Sequence, residues 1–263
     1  MSDPINEAIP PVTPIPTPAE VRPPRPKGPW GFWVTIGFSA IIAIGYLVGQ
    51  FVAVILFAAA TAAMKGASQL SADQLSNNGM LLGLGLIMSA PISVGLSWLF
   101  AWLRKGPTLR DYLGLCWPSG RQTLKWTLSF VGLMVASDCL TNALGRPIVP
   151  PDMLEVYRNT SFLPILWVGA CVGAPLSEEF FFRGFLFRGL AASRLGGIGT
   201  ILLTAATWAS IHLQYDAYGI ATIFVSGILL GFVRLKTGSV FLCVALHALM
   251  NVVATAEIPI LYP

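Results

Sequence analysis

The chain has 263 residues, 55% of them hydrophobic and only 11% charged, with a mean hydropathy of +0.71. A water-soluble domain carries about 25% charged residues, so a charge-covered soluble fold is excluded and an all-α polytopic bundle of transmembrane helices is expected. The net charge of +4 then reports topology rather than nucleic-acid binding, because Lys and Arg gather in cytoplasmic loops. No nucleic-acid partner is expected. Cys116, Cys139, Cys171 and Cys243 form no CxxC pair and indicate neither a disulfide framework nor a metal cluster.

Residues 1–29 hold ten of the twenty prolines, a composition that builds no core and predicts an extended, disordered cytoplasmic tail. A signal peptide is not expected, because the apolar run that follows is too long for an h-region. Apolar segments follow at 30–64, 79–103, 124–144, 162–187, 198–215, 217–233 and 239–256; about 20 residues suffice for a crossing. About seven spans are expected, with six to eight possible. The organisation is a tail over 1–29, N-terminal transmembrane helices over 30–157, a core over 158–256 and a short tail over 257–263. With the N-terminus inside, Arg22, Arg25, Lys27, Arg104, Lys105, Arg110, Arg121, Lys125, Arg188, Arg194, Arg234 and Lys236 are cytoplasmic. Only Lys65, Arg146 and Arg158 fall outside. The chain is therefore expected to be a multi-pass integral membrane protein in contact with lipid, in the plasma (inner) membrane if bacterial. Glycine pairs four apart, such as Gly79/Gly83 and Gly227/Gly231, let helices approach closely inside one bundle.

Within this apolar background, Ser177-Glu178-Glu179-Phe180-Phe181-Phe182-Arg183 concentrates three charges. Each ionised group near the bilayer centre costs about 2.5–3.5 kcal/mol on insertion scales, so a use is expected for them. Glu179 and Arg183, four apart, are expected to pair. Glu178 lies about 100° round the helix and faces a different partner, and Pro175 loosens the helix just before it. The only two histidines, His212 and His247, both fall in expected spans, and His247 shares a helical face with Asn251. Each element alone has a plainer reading, as an interhelical hydrogen bond or a structural ion pair. Their concentration in three late spans favours a site.

A carboxylate facing two imidazoles and a carboxamide can hydrolyse a peptide bond. Glu178 would activate water, and His212, His247 and Asn251 would hold the water or the oxyanion. Alternatively Glu178, His212 and His247 would bind a divalent cation such as zinc; with no HExxH, the ligands would come from three helices. On the first reading, a water-filled cavity opening towards the cytoplasm is expected. Counted along the spans, Glu178 and His247 lie about 12–14 Å below the cytoplasmic surface and His212 about 21 Å. Two other classes remain: a proton-coupled transporter, for which the expected two-fold internal symmetry is not seen, and a non-catalytic scaffold or immunity factor.

The ordered set Glu178-Glu179-xxx-Arg183, an aromatic-xxx-His at Trp208/His212, and His247-xxx-Asn251 resembles the CPBP (Abi) intramembrane proteases. Their eukaryotic members are the type-II CAAX prenyl endopeptidases. The likeness covers roughly residues 160–256. It implies Glu178 as the base, His212, His247 and Asn251 around the water or oxyanion, and Glu179 and Arg183 shaping the site. It also implies a peptide or protein substrate, prenylated at a CAAX end only by analogy with the eukaryotic members. Trp208 departs from the usual Phe of the second motif.

Overall fold

The computed structural model describes residues 28–65, 75 and 77–263, so residues 1–27 of the expected tail lie outside the described residues. Among the described residues the chain is all helix and loop. The helices are α1 (Phe32–Lys65), α2 (Gly79–Leu103), α3 (Leu109–Leu113), α4 (Gly120–Ala143), α5 (Pro151–Arg158), α6 (Leu163–Ala191), α7 (Gly196–Ser210), α8 (Ala217–Thr237) and α9 (Val240–Leu261). Local chemistry sets the boundaries. The side chains of Asn78, Ser119, Asp216 and Ser239 accept the free N–H groups of Leu81, Gln122, Gly219 and Leu242 at the heads of α2, α4, α8 and α9. Gly238, at φ 69°, ends α8 in the left-handed conformation.

All seven expected apolar segments are helical, but five helices are both long and apolar enough to cross a membrane: α1 to Met64, α2, α6, α8 and α9. α4 has the length, at 24 residues, but Arg121, Lys125 and Asp138 dilute its apolar character. α7 stops after 15 residues, about 22 Å, short of the roughly 30 Å hydrocarbon layer. The span over 198–215 is thus corrected to a short helix followed by a loop.

The glycine pairs pack helices within the bundle. A Cβ on Gly83 would lie 2.5 Å from Ile165 O, and one on Gly169 would lie 2.5 Å from Gly83 O, which locks α2 against α6. α1 packs on α2 and α6, whereas α4 packs on α8 and α9. Contacts define two ends. At one, Trp30 Nε1 donates to Phe100 O at 2.8 Å, Arg104 Nε to Gly28 O at 2.9 Å and Arg234 Nη1 to Gly238 O at 2.6 Å. At the other, Asn77 Nδ2 donates to Glu155 Oε1 at 3.0 Å, Thr141 Oγ1 lies 2.7 Å from Tyr218 Oη, and Arg146 pairs with Asp216.

Candidate active site

α6 carries the charges and is not a uniform helix. Gly169–Gly173 and Phe180–Leu186 are wound as π-helix on either side of the α-turns over Ala174–Glu179; such segments widen a helix and recur at functional sites. In the first, the N–H of Ala174 pairs with Gly169 O, so the next N–H in that register would meet Ala170 O. Pro175 has no N–H to give. Asn251 of α9 supplies the missing donor, its Nδ2 reaching Ala170 O at 2.7 Å. The residue that loosens α6 and a candidate site residue on another helix are therefore two halves of one arrangement. Asn251 commits one N–H to α6 and keeps its second N–H and its Oδ1.

The two glutamates diverge as the helical period requires. Glu179 turns inward and is fully buried with Arg183, while His247 is 2% exposed. Glu179 Oε1 accepts from Arg183 Nη1 at 2.9 Å and lies 2.9 Å from His247 Nδ1. The expected pair is present, and it includes a histidine that the spacing did not reveal. Arg183 also donates from Nη2 to Gly227 O at 3.2 Å and sits 4.7 Å from the centre of the Trp208 ring. Isolated buried ions would cost several kcal/mol each; pairing offsets part of that cost, while Glu179 Oε2 and Arg183 Nε are buried with no hydrogen-bond partner among the described residues.

Glu178, half-buried, turns the other way. Its Oε2 accepts from Trp208 Nε1 at 2.5 Å, leaving Oε1 free. Trp208, on α7, is fully buried and stands edge-on to both imidazoles, its centre 5.3 Å from His212 and 5.2 Å from His247. One indole thus touches every candidate that the sequence singled out except Asn251 and Glu179. The aromatic of the second motif is the hub of the cluster; its helical spacing of four from His212 was the available signal.

His212 does not lie in a span. It follows the end of α7, and its Nδ1 sits 2.7 Å from Trp208 O, which explains its poor depth match. Because Trp208 O and the Glu179 carboxylate accept only, Nδ1 of each histidine carries the hydrogen and Nε2 is the nitrogen left for a ligand.

Glu178, Trp208, His212, His247 and Asn251 line one cavity of about 1480 Å³, with Tyr46 of α1 on its wall. Glu179 and Arg183 lie behind it. Among the described residues no three His, Cys, Asp or Glu side chains are grouped to hold a metal ion. Glu178, His212 and His247 share the wall without forming such a group.

Residues 160–253 match the family described as type II CAAX prenyl endopeptidase Rce1-like. The match spans less than half of the chain, and over that stretch the chain is similar to the CPBP/CAAX protease family. The likeness and the apolar helices together describe an integral membrane protein. No curated protein and no solved structure matches the chain. The matched stretch runs from the loop before α6 to within α9 and contains all seven named residues of the three motifs.

Proposed function

We propose that the protein is an intramembrane endopeptidase in which Glu178 activates a water molecule for attack on a peptide carbonyl. The observation that carries this reading is the cavity wall on which Glu178, His212, His247 and Asn251 meet. The water oxygen adds to the carbonyl carbon while its proton passes to Oε1 of Glu178. The carbonyl oxygen becomes the oxyanion, met by the Asn251 N–H not given to Ala170 and by an imidazolium Nε2–H. Glu179 faces Nδ1 of His247 and fixes that ring. Glu178 then returns the proton to the leaving amine, and the carbon–nitrogen bond breaks. Positioned acid–base groups contribute about 10²–10⁴-fold, with oxyanion donors adding a similar factor.

Glu179 and Arg183 serve as positioning residues: they fix His247 and carry the buried charge. The scaffold reading has no specific observation in its favour, since packing alone does not require a carboxylate and two imidazole nitrogens facing one cavity. The test is cleavage of a peptide panel, including a farnesylated CAAX peptide, by purified wild type and Glu178→Gln. Cleavage by wild type with at least about a hundredfold loss in the variant is expected. Equal turnover by both proteins removes the mechanism.

A further inference from the structure

We infer that the substrate reaches this cavity from the extracytoplasmic side, so that the polypeptide cut is one presented on the outer face of the membrane. The inference rests on reading the cavity as the catalytic one, and it reverses the expectation of a mouth facing the cytoplasm. Three observations lead there.

First, the cavity is closed at the end where α1 begins. Phe32, Trp126, Phe130, Phe182, Leu186 and Leu190 belong to one packed apolar cluster across that end. Second, its polar rim is at the opposite end. Arg146 and Asp152 before and at the head of α5, Gln214 and Asp216 between α7 and α8, Asp138 of α4 and Glu257 of α9 all line it. The contacts of Thr141 with Tyr218 and of Arg146 with Asp216 tie these segments together there. The polar groups needed to admit water are thus concentrated at one end.

Third, the two ends differ in charge. Arg104, Lys105, Arg110, Arg121, Lys125, Arg188, Arg194, Arg234 and Lys236, in or beside the α2–α3–α4, α6–α7 and α8–α9 junctions, fall at the closed end. The open end has Lys65, Arg146 and Arg158 against Asp138, Asp152, Glu155, Asp216 and Glu257. Basic connections stay cytoplasmic, and acidic residues have little influence on orientation. The closed end therefore faces the cytoplasm and the rim faces out. A cytosolic C-terminal tail would meet the apolar plug, whereas a segment of an exported or membrane-anchored protein would meet the polar rim.

Sidedness can be read without any activity. Full-length protein carrying Gln214→Cys at the rim, or Lys105→Cys at the closed end, is treated in intact bacterial cells with a membrane-impermeant maleimide. The unsubstituted chain sets the background from its own cysteines. Labelling of Gln214→Cys before permeabilisation, with Lys105→Cys labelled only afterwards, is expected. The opposite pattern overturns the inference. Asp152→Cys gives a second rim position if Gln214→Cys does not accumulate. A peptide cleaved by wild type in detergent is then offered to right-side-out and inverted vesicles. Cleavage by the right-side-out vesicles supports outer access, and cleavage confined to inverted vesicles refutes it. Failure to cleave any peptide in detergent would count against the protease reading, while the labelling would still decide the orientation.

Discussion

The indole N–H of Trp208 donates to Oε2 of Glu178 at 2.5 Å, and this bond fixes which carboxylate oxygen is left to face the cavity. A phenylalanine would fill nearly the same volume and keep the edge contacts to both histidines, but it has no donor. Hydrogen bonds to charged groups contribute about 1.5–3 kcal/mol. Trp208→Phe is expected to lower kcat by about ten- to a hundredfold with KM nearly unchanged and normal accumulation in membranes. Steady-state kinetics on a cleaved peptide check this, and an unaltered kcat would remove the positioning role.

Gly227 lies beneath the same ring. A Cβ there would sit 2.9 Å from Trp208 Cε3 and 3.1 Å from Ala205 Cβ, closer than side chains pack. Gly227→Ala should push the indole off Glu178 and destabilise the α7–α8 contact by about 1–3 kcal/mol. Thermal unfolding in detergent and peptide cleavage should therefore fall together. A stable and fully active variant would show that the ring has room to move.

Removing one partner of the buried Glu179–Arg183 pair leaves an uncompensated charge, at a cost of about 3–5 kcal/mol. Glu179→Ala and Arg183→Ala should each reduce folded protein in membranes as well as activity. Because the two share one interaction, the double variant should lose less than the sum of the singles. Additive losses in a double-mutant cycle would argue against the pair as a unit.

The proposed mechanism needs no metal. Cleavage should persist in the presence of a strong chelator and should not rise with added zinc, measured in the same assay as Glu178→Gln. Abolition by chelator with restoration by zinc would transfer the chemistry to a metal centre.

The helical character, the burial of Glu179 with Arg183 and the facing of His247 and Asn251 towards one space were legible in sequence. Each follows from composition or from a spacing of four on a helix. The Glu179–His247 contact was not, because it joins residues 68 apart through the packing of α9 on α6. The end of α7 was also misread: Ile211, Leu213 and their neighbours keep the segment apolar, but the turn over 211–216 is set by the cap that Asp216 provides for α8. Hydropathy has no access to either feature. The role of Trp208 lay between these cases, visible as an aromatic at the right spacing but not as a donor.

The brevity of α7 has a consequence for the surrounding lipid. Ile198, Leu202 and Leu203 are exposed along it, yet the helix supplies about 22 Å of apolar height against a layer of roughly 30 Å. Acyl chains beside this face must shorten or bend, and the cost grows with each ångström of mismatch. The protein should therefore work best in thin bilayers and slow as lipid chains lengthen, so that the thickness of the host membrane itself becomes a control on turnover.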